Sequence, residues 1–126
     1  MKTILIACLM AFFSATSVSA QQTGLIFRIA KLQIDSAQLE NYKAALKEHA
    51  ETAVRVEAGV LTLYAVYEKN NPTHVTVFEI YASQEAYKSH LQTAHFLKYK
   101  TSTKDMIKSL ELIETMPIAL ETKFKN

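Results

Sequence analysis

The chain has 126 residues, with 14 Lys and Arg against 12 Asp and Glu and a formal net charge of +2. That length suits one domain, and near-neutrality without a basic stripe argues against a nucleic-acid ligand. Two glycines, Gly24 and Gly59, and a single cysteine, Cys8, exclude a glycine-rich phosphate loop, a dinucleotide fingerprint and an internal disulfide.

Residues 1–20, MKTILIACLMAFFSATSVSA, place Lys2 before an unbroken apolar run that closes on Val18-Ser19-Ala20. This is the pattern of a secretory signal peptide, and the apolar run is too short to span a bilayer. Cleavage after Ala20 is expected to leave residues 21–126 as a single domain, periplasmic or secreted, with no membrane span. It also removes Cys8, and with it every thiol chemistry.

Leu25 to Ile34 mixes β-branched, aromatic and polar residues and reads as a strand. Asp35 and Gln38 then mark the start of a helix. Leu39, Tyr42, Leu46, His49 and Ala53 follow at spacings of three and four, which gives that helix one apolar face until about Glu57, with a stop near Gly59. Val60 to Glu68 and Thr73 to Tyr81 flank Asn70, Asn71 and Pro72, the signature of a β-hairpin. Ser83 caps a second helix with Ala86, Tyr87, His90, Leu91 and Ala94 on one side. A further helical piece runs from about His95 to Ile107, Leu110 to Thr115 forms a fourth strand, and Pro117 opens an extended tail.

The order strand, helix, strand, strand, helix, strand is the split βαββαβ arrangement of a ferredoxin-like α+β fold. Both faces of Val60 to Tyr67 are apolar, yet two helices cover only one side of a four-stranded sheet. The second side is therefore expected to pack on a copy of itself, making a two-fold homodimer of the α/β-barrel kind.

The chemistry-bearing residues concentrate in FEIYASQEAYKSHLQTAHF, Phe78 to Phe96. His90 and His95 are five apart, about 140° around a continuous helix, where a shared metal needs a spacing of three or four. No metal is expected from that geometry. Acid/base work fits better. Glu79 alternates onto one strand face with Val75, Val77 and Tyr81, so it is desolvated unless paired, and it either ties a helix to the sheet or serves as a site residue. His90 lies on the apolar side of its helix, as a core residue or as a base near neutral pH. His49 reaches the same space if the helices lie side by side. Tyr64, Tyr81 and Phe96 belong to an aromatic set that can line a pocket.

The run Glu57-Ala58-Gly59-Val60, the hairpin through Phe78-Glu79-Ile80-Tyr81, then His90-Leu91 and His95-Phe96 resembles the antibiotic biosynthesis monooxygenase domain, which includes small quinol monooxygenases. The resemblance spans nearly the whole of residues 21–126. It implies a dimer of ferredoxin-like subunits, and oxidation of a quinol or phenolic aromatic by dioxygen without metal, flavin or other cofactor. By this likeness His90 is the base, Glu79 orients it, and Tyr81, Phe96 and Tyr64 shape the pocket; His49 and His95 are counted with the substrate-binding residues, His95 chiefly as a structural closing residue beside Phe96. Tyr81 stands where many members carry Trp. The haem-degrading branch needs residue types that Ala30, Tyr81 and Lys100 do not supply, so haem degradation of that kind is not expected. The alternatives are a non-catalytic exported dimer that binds small aromatic ligands, and a haem-binding protein.

Overall fold

The computed structural model describes residues 24–124. The expected signal peptide and its Cys8 lie outside the described residues. Four strands and three helices follow one another as β1 (Ile26–Ile34), α1 (Leu39–Val56), β2 (Val60–Glu68), β3 (Asn71–Tyr81), α2 (Gln84–His90), α3 (Ala94–Thr103) and β4 (Ile107–Thr115). The strands form one antiparallel sheet in the order β2-β3-β1-β4. This is the ferredoxin-like α+β fold that the element order predicts.

Alternation in β1 and β3 sets the core. Ala30, Leu32 and Ile34 from β1, and Val75, Val77 and Tyr81 from β3, are buried on the helix side of the sheet. Tyr42, Leu46, His49 and Ala53 of α1 are buried at spacings of four, three and four, the apolar stripe expected of one helix face. Asp35 caps as the sequence suggests, but its carboxylate accepts from Ala37 N at 3.1 Å within a short 3-10 turn, Ser36–Gln38, and α1 begins one residue later.

Strand parity fails at the start of β2. A register shift between Val60 and Thr62 puts both Val60 and Leu63 into the core and leaves Leu61 outside, so the simple alternation expected from Val60 to Tyr67 is broken. Beyond the shift, Tyr64 pairs with Phe78 and Val66 with Thr76 on the face turned away from the helices. Tyr64 and Val66 are exposed there, beside half-buried Ile29, Phe78, Ile80 and Ile113.

The fourth strand starts at Ile107 rather than Leu110, because α3 stops at Thr103. One 3-10 turn, Lys104–Met106, then returns the chain to the sheet, where the Met106 carbonyl accepts from Asp35 N at 2.8 Å. No helix among the described residues is long and apolar enough to cross a membrane.

Candidate functional site

Three chain segments meet at one carboxylate. Glu57 follows the last turn of α1 in an extended conformation, with its backbone N–H still donating to Ala53 O at 2.9 Å, and this turns its side chain away from the helix axis. His90 is the last residue of α2 and His95 lies in the first turn of α3. His90 Nδ1 donates to Glu57 Oε2 at 2.8 Å, and His95 Nε2 donates to the same oxygen at 2.6 Å.

The two histidines converge because α2 and α3 are separate helices. Ser83 Oγ caps α2 by accepting from Ala86 N at 3.0 Å, and Thr93 starts α3 anew. Thr93 Oγ1 accepts from Phe96 N at 3.2 Å and donates to the His90 carbonyl at 2.8 Å, so one hydroxyl ends one helix and begins the next. The angular separation expected of a continuous helix therefore does not apply. The ring centroids of His90 and His95 lie 6.1 Å apart, with Glu57 between them.

The approach of α2 to the end of α1 depends on Gly59. A Cβ at this position would lie 2.5 Å from the Ala86 Cβ, and the Gly59 carbonyl accepts from Ala82 N at 2.8 Å. Only a residue without a side chain lets α2 sit this low over the start of β2.

Aromatic rings close the cluster. His49 stacks on Tyr99 at 4.9 Å and lies 5.1 Å from His90, 5.8 Å from His95 and 5.8 Å from Phe96. Tyr81 stands 5.3 Å from His90 and meets Tyr87 edge-on at 5.1 Å. Tyr42 and Tyr99 share a hydrogen bond of 2.8 Å between their hydroxyls. Burial drives the hydroxyls of Tyr42, Tyr81 and Tyr99 upward in pKa, so all three stay neutral.

His49 is buried, and its Nδ1 has no hydrogen-bond partner. Burial pushes its imidazole down to about 4, and the charges of His90 and His95 push the same way, against the smaller opposing effects of the His95 backbone and the Glu57 charge. It is therefore a neutral ring at pH 7.

The structure differs from the sequence reading in the carboxylate. Glu79 does not orient His90; Glu57 does. Glu79 pairs across the sheet with Arg28, and desolvation raises its pKa while the Arg28 charge and a hydrogen bond with Tyr81 oppose that rise. Arg28 itself is buried, with its guanidinium 4.5 Å from the Tyr87 ring centre and 3.3 Å from the exposed Glu114 carboxylate. Tyr64 is also placed apart, on the far face of the sheet. His49, His90, His95, Tyr81 and Phe96 do come together.

A carboxylate only accepts, so the nitrogens that face Glu57 carry the protons and leave His90 Nε2 and His95 Nδ1 as the lone-pair positions. Glu57 thus holds two imidazoles in tautomers suited to accept a proton. A cavity of about 20 Å³ opens between α1 and α3 on His49, His95 and Tyr99. A larger cleft of about 380 Å³ lies elsewhere, between α1 and the β2 edge, lined by Tyr42, Leu46, Leu63 and Tyr67 and rimmed by Lys43 and Lys47.

Comparison with known proteins agrees with this frame. The family model described as antibiotic biosynthesis monooxygenase matches residues 25–102. A crystal structure of a candidate antibiotic biosynthesis monooxygenase from Bacteroides thetaiotaomicron is 50% identical, with a TM-score of 0.77 over 81% of this chain and 97% of that one. A candidate monooxygenase from Lactobacillus acidophilus is 28% identical with a TM-score of 0.70, over 72% of this chain and 43% of that one. A candidate from Nitrosomonas europaea, 19% identical with a TM-score of 0.70 over 75% of this chain and 90% of that one, shares the fold. Among curated proteins none matches. With the family model matching more than half of its length, and half-identity to a structure that it covers almost entirely, the chain belongs to the antibiotic biosynthesis monooxygenase family.

Proposed function

We propose that the protein is a monooxygenase that oxidises a quinol or phenolic aromatic with dioxygen, with the imidazoles held by Glu57 as proton acceptors. The observation that carries this reading is the shared carboxylate, at 2.8 and 2.6 Å from the two rings, which fixes a lone pair on each. Removing the phenolic proton makes the ring electron-rich enough to reduce oxygen itself. For a phenol with a free para position, the ring C–H becomes a carbonyl, dioxygen supplies that oxygen atom, and the second oxygen leaves as water with the two hydrogens lost by the substrate. The surrounding rings keep water from the reacting centre.

His95 is the member that borders the 20 Å³ opening, and His90 is sealed behind it at 1% exposure. Proton acceptance therefore begins at His95, and His90 shares the charge through Glu57. The protein works as a homodimer, a reading supported by the uncovered apolar face that includes Tyr64 and Val66. The amino-terminal segment directs the protein to the periplasm or outside the cell. Oxygen uptake with a panel of hydroquinones and naphthol-type phenols tests the activity. Turnover by wild type that is lost in His95→Ala and in His90→Ala supports it, and equal rates in all three overturn it.

One observation favours a second reading, a non-catalytic binder of small aromatic molecules. The 380 Å³ cleft is apolar and does not include the histidines. Saturable binding of an aromatic ligand without oxygen uptake, weakened by a substitution at Leu63 but not at His95, distinguishes this case.

A further inference from the structure

We infer that Glu57, His90 and His95 form a binding site for one divalent transition-metal ion of the zinc class, and that the ion shuts off proton acceptance at the same three residues. One donor atom from each lies within 4.8 Å of the other two. Two imidazoles and a carboxylate without thiolate suit zinc, cobalt or nickel rather than calcium or magnesium.

The distances fit with small movements. Tetrahedral zinc, with ligands at roughly 2.0–2.2 Å, separates its donors by about 3.3 Å. The separations here are 2.6 and 2.8 Å, so each ligand retreats by roughly half an ångström, within the reach of small torsional changes. Glu57 and His95 retain some exposure, 14% and 16% of their side chains, and can make that adjustment, while His90 is held in place by packing.

A separate observation points to a ligand at this place. His49 Nδ1 is buried without a partner, in a ring that stands 5.1 and 5.8 Å from the two histidines. The cavity beside it, shared by His49 and His95, has about 20 Å³, enough for one water-sized particle. An ion on the triad leaves its fourth position to a water, and His49 is a further imidazole close by, its ring 5.1 and 5.8 Å from the two ligand rings. Loss of hydrogen bonding at a buried ring is costly, so a polar partner for this nitrogen is favoured.

Metal and proton acceptance exclude one another by tautomer. The ion takes the nitrogens that face Glu57, His90 Nδ1 and His95 Nε2, which in the metal-free site carry protons. Those protons move to the opposite nitrogens, where the lone pairs needed for the phenol had been. Zinc is therefore an inhibitor of the proposed oxidation and not its cofactor.

The test uses chelator-treated protein without a histidine tag, titrated with zinc chloride by calorimetry and with cobalt chloride by visible absorption. One ion per chain and a four-coordinate cobalt spectrum are expected, with affinity weakened by at least about tenfold in Glu57→Gln and His95→Ala. Circular dichroism establishes that both variants are folded, and His95→Gln replaces His95→Ala if the latter is not. Absence of saturable binding, or equal affinity in wild type and folded variants, overturns the proposal. Oxygen uptake is measured in parallel: turnover without zinc binding leaves the enzymatic reading intact and removes the metal, whereas zinc binding without turnover in the metal-free protein does the reverse.

Discussion

Gly59 and Ala86 approach so closely that a methyl group on the glycine would sit 2.5 Å from the alanine Cβ. That contact sets the height of α2 above the end of α1, and so the distance from His90 to Glu57. Gly59→Ala is expected to destabilise the protein by about 1–3 kcal/mol, the usual cost of overpacking, and to lower turnover by displacing α2. Thermal unfolding and oxygen uptake read both effects. Adding Ala86→Gly removes the clash and should recover most of the loss; a double variant no better than the single one contradicts the account.

Glu57 and Glu79 separate a positioning carboxylate from one that pairs with the sheet. Glu57→Gln can keep one oxygen that accepts from both imidazoles, but it removes the negative charge that stabilises them once protonated. Its kcat should fall by about 10²-fold, at the lower end of what acid/base groups contribute, while Glu79→Gln changes kcat by less than about threefold, being paired with Arg28 instead. Steady-state kinetics on both variants decide the matter, and a larger loss in Glu79→Gln reverses the assignment.

Thr93 joins two helices with one hydroxyl. Thr93→Ala removes the cap at Phe96 N and the bond to the His90 carbonyl, with an expected cost of about 1 kcal/mol. Because the same residue sets where α3 begins, His95 should also drift from Glu57. Chemical shifts of the two imidazoles measure that drift directly, and unchanged shifts count against it.

His49 gives stability a pH dependence of known sign. Its pKa falls from 6.5 in the unfolded chain to about 4 in the fold, so above pH 6.5 it is neutral in both states and costs nothing. As the pH drops through that window the unfolded chain binds a proton that the folded one refuses, and stability declines by at most about 3 kcal/mol by pH 4. His49→Leu abolishes this part of the slope. Denaturant midpoints of both proteins from pH 7.5 to 4.5 should diverge, and parallel curves exclude the effect.

The uncovered sheet face predicts the assembly. Val66, 62% exposed in the single chain, lies among apolar neighbours on that face. Light scattering should give twice the chain mass for wild type and the chain mass for Val66→Glu, since an unpaired buried charge is prohibitive at an apolar interface. A monomeric wild type refutes the dimer.

Local features were legible wherever one element's own period decided the outcome. The stripe Tyr42, Leu46, His49, Ala53 and the capping roles of Asp35 and Ser83 follow from spacing and side-chain chemistry within a few residues. The sequence also assigned Val75, Val77, Glu79 and Tyr81 to one strand face correctly, because a two-residue repeat needs no knowledge of the partner strand. Glu57 carried no such signal. A carboxylate in the last turn before a glycine looks like a solvated helix end, and its partners are 33 and 38 residues away. Only the folded chain, with α2 lowered onto Gly59 and α3 restarted at Thr93, brings two histidines from different helices to one oxygen. Periodicity orders residues within an element, whereas a site of this kind depends on where separate elements end relative to one another, and that is set by tertiary packing.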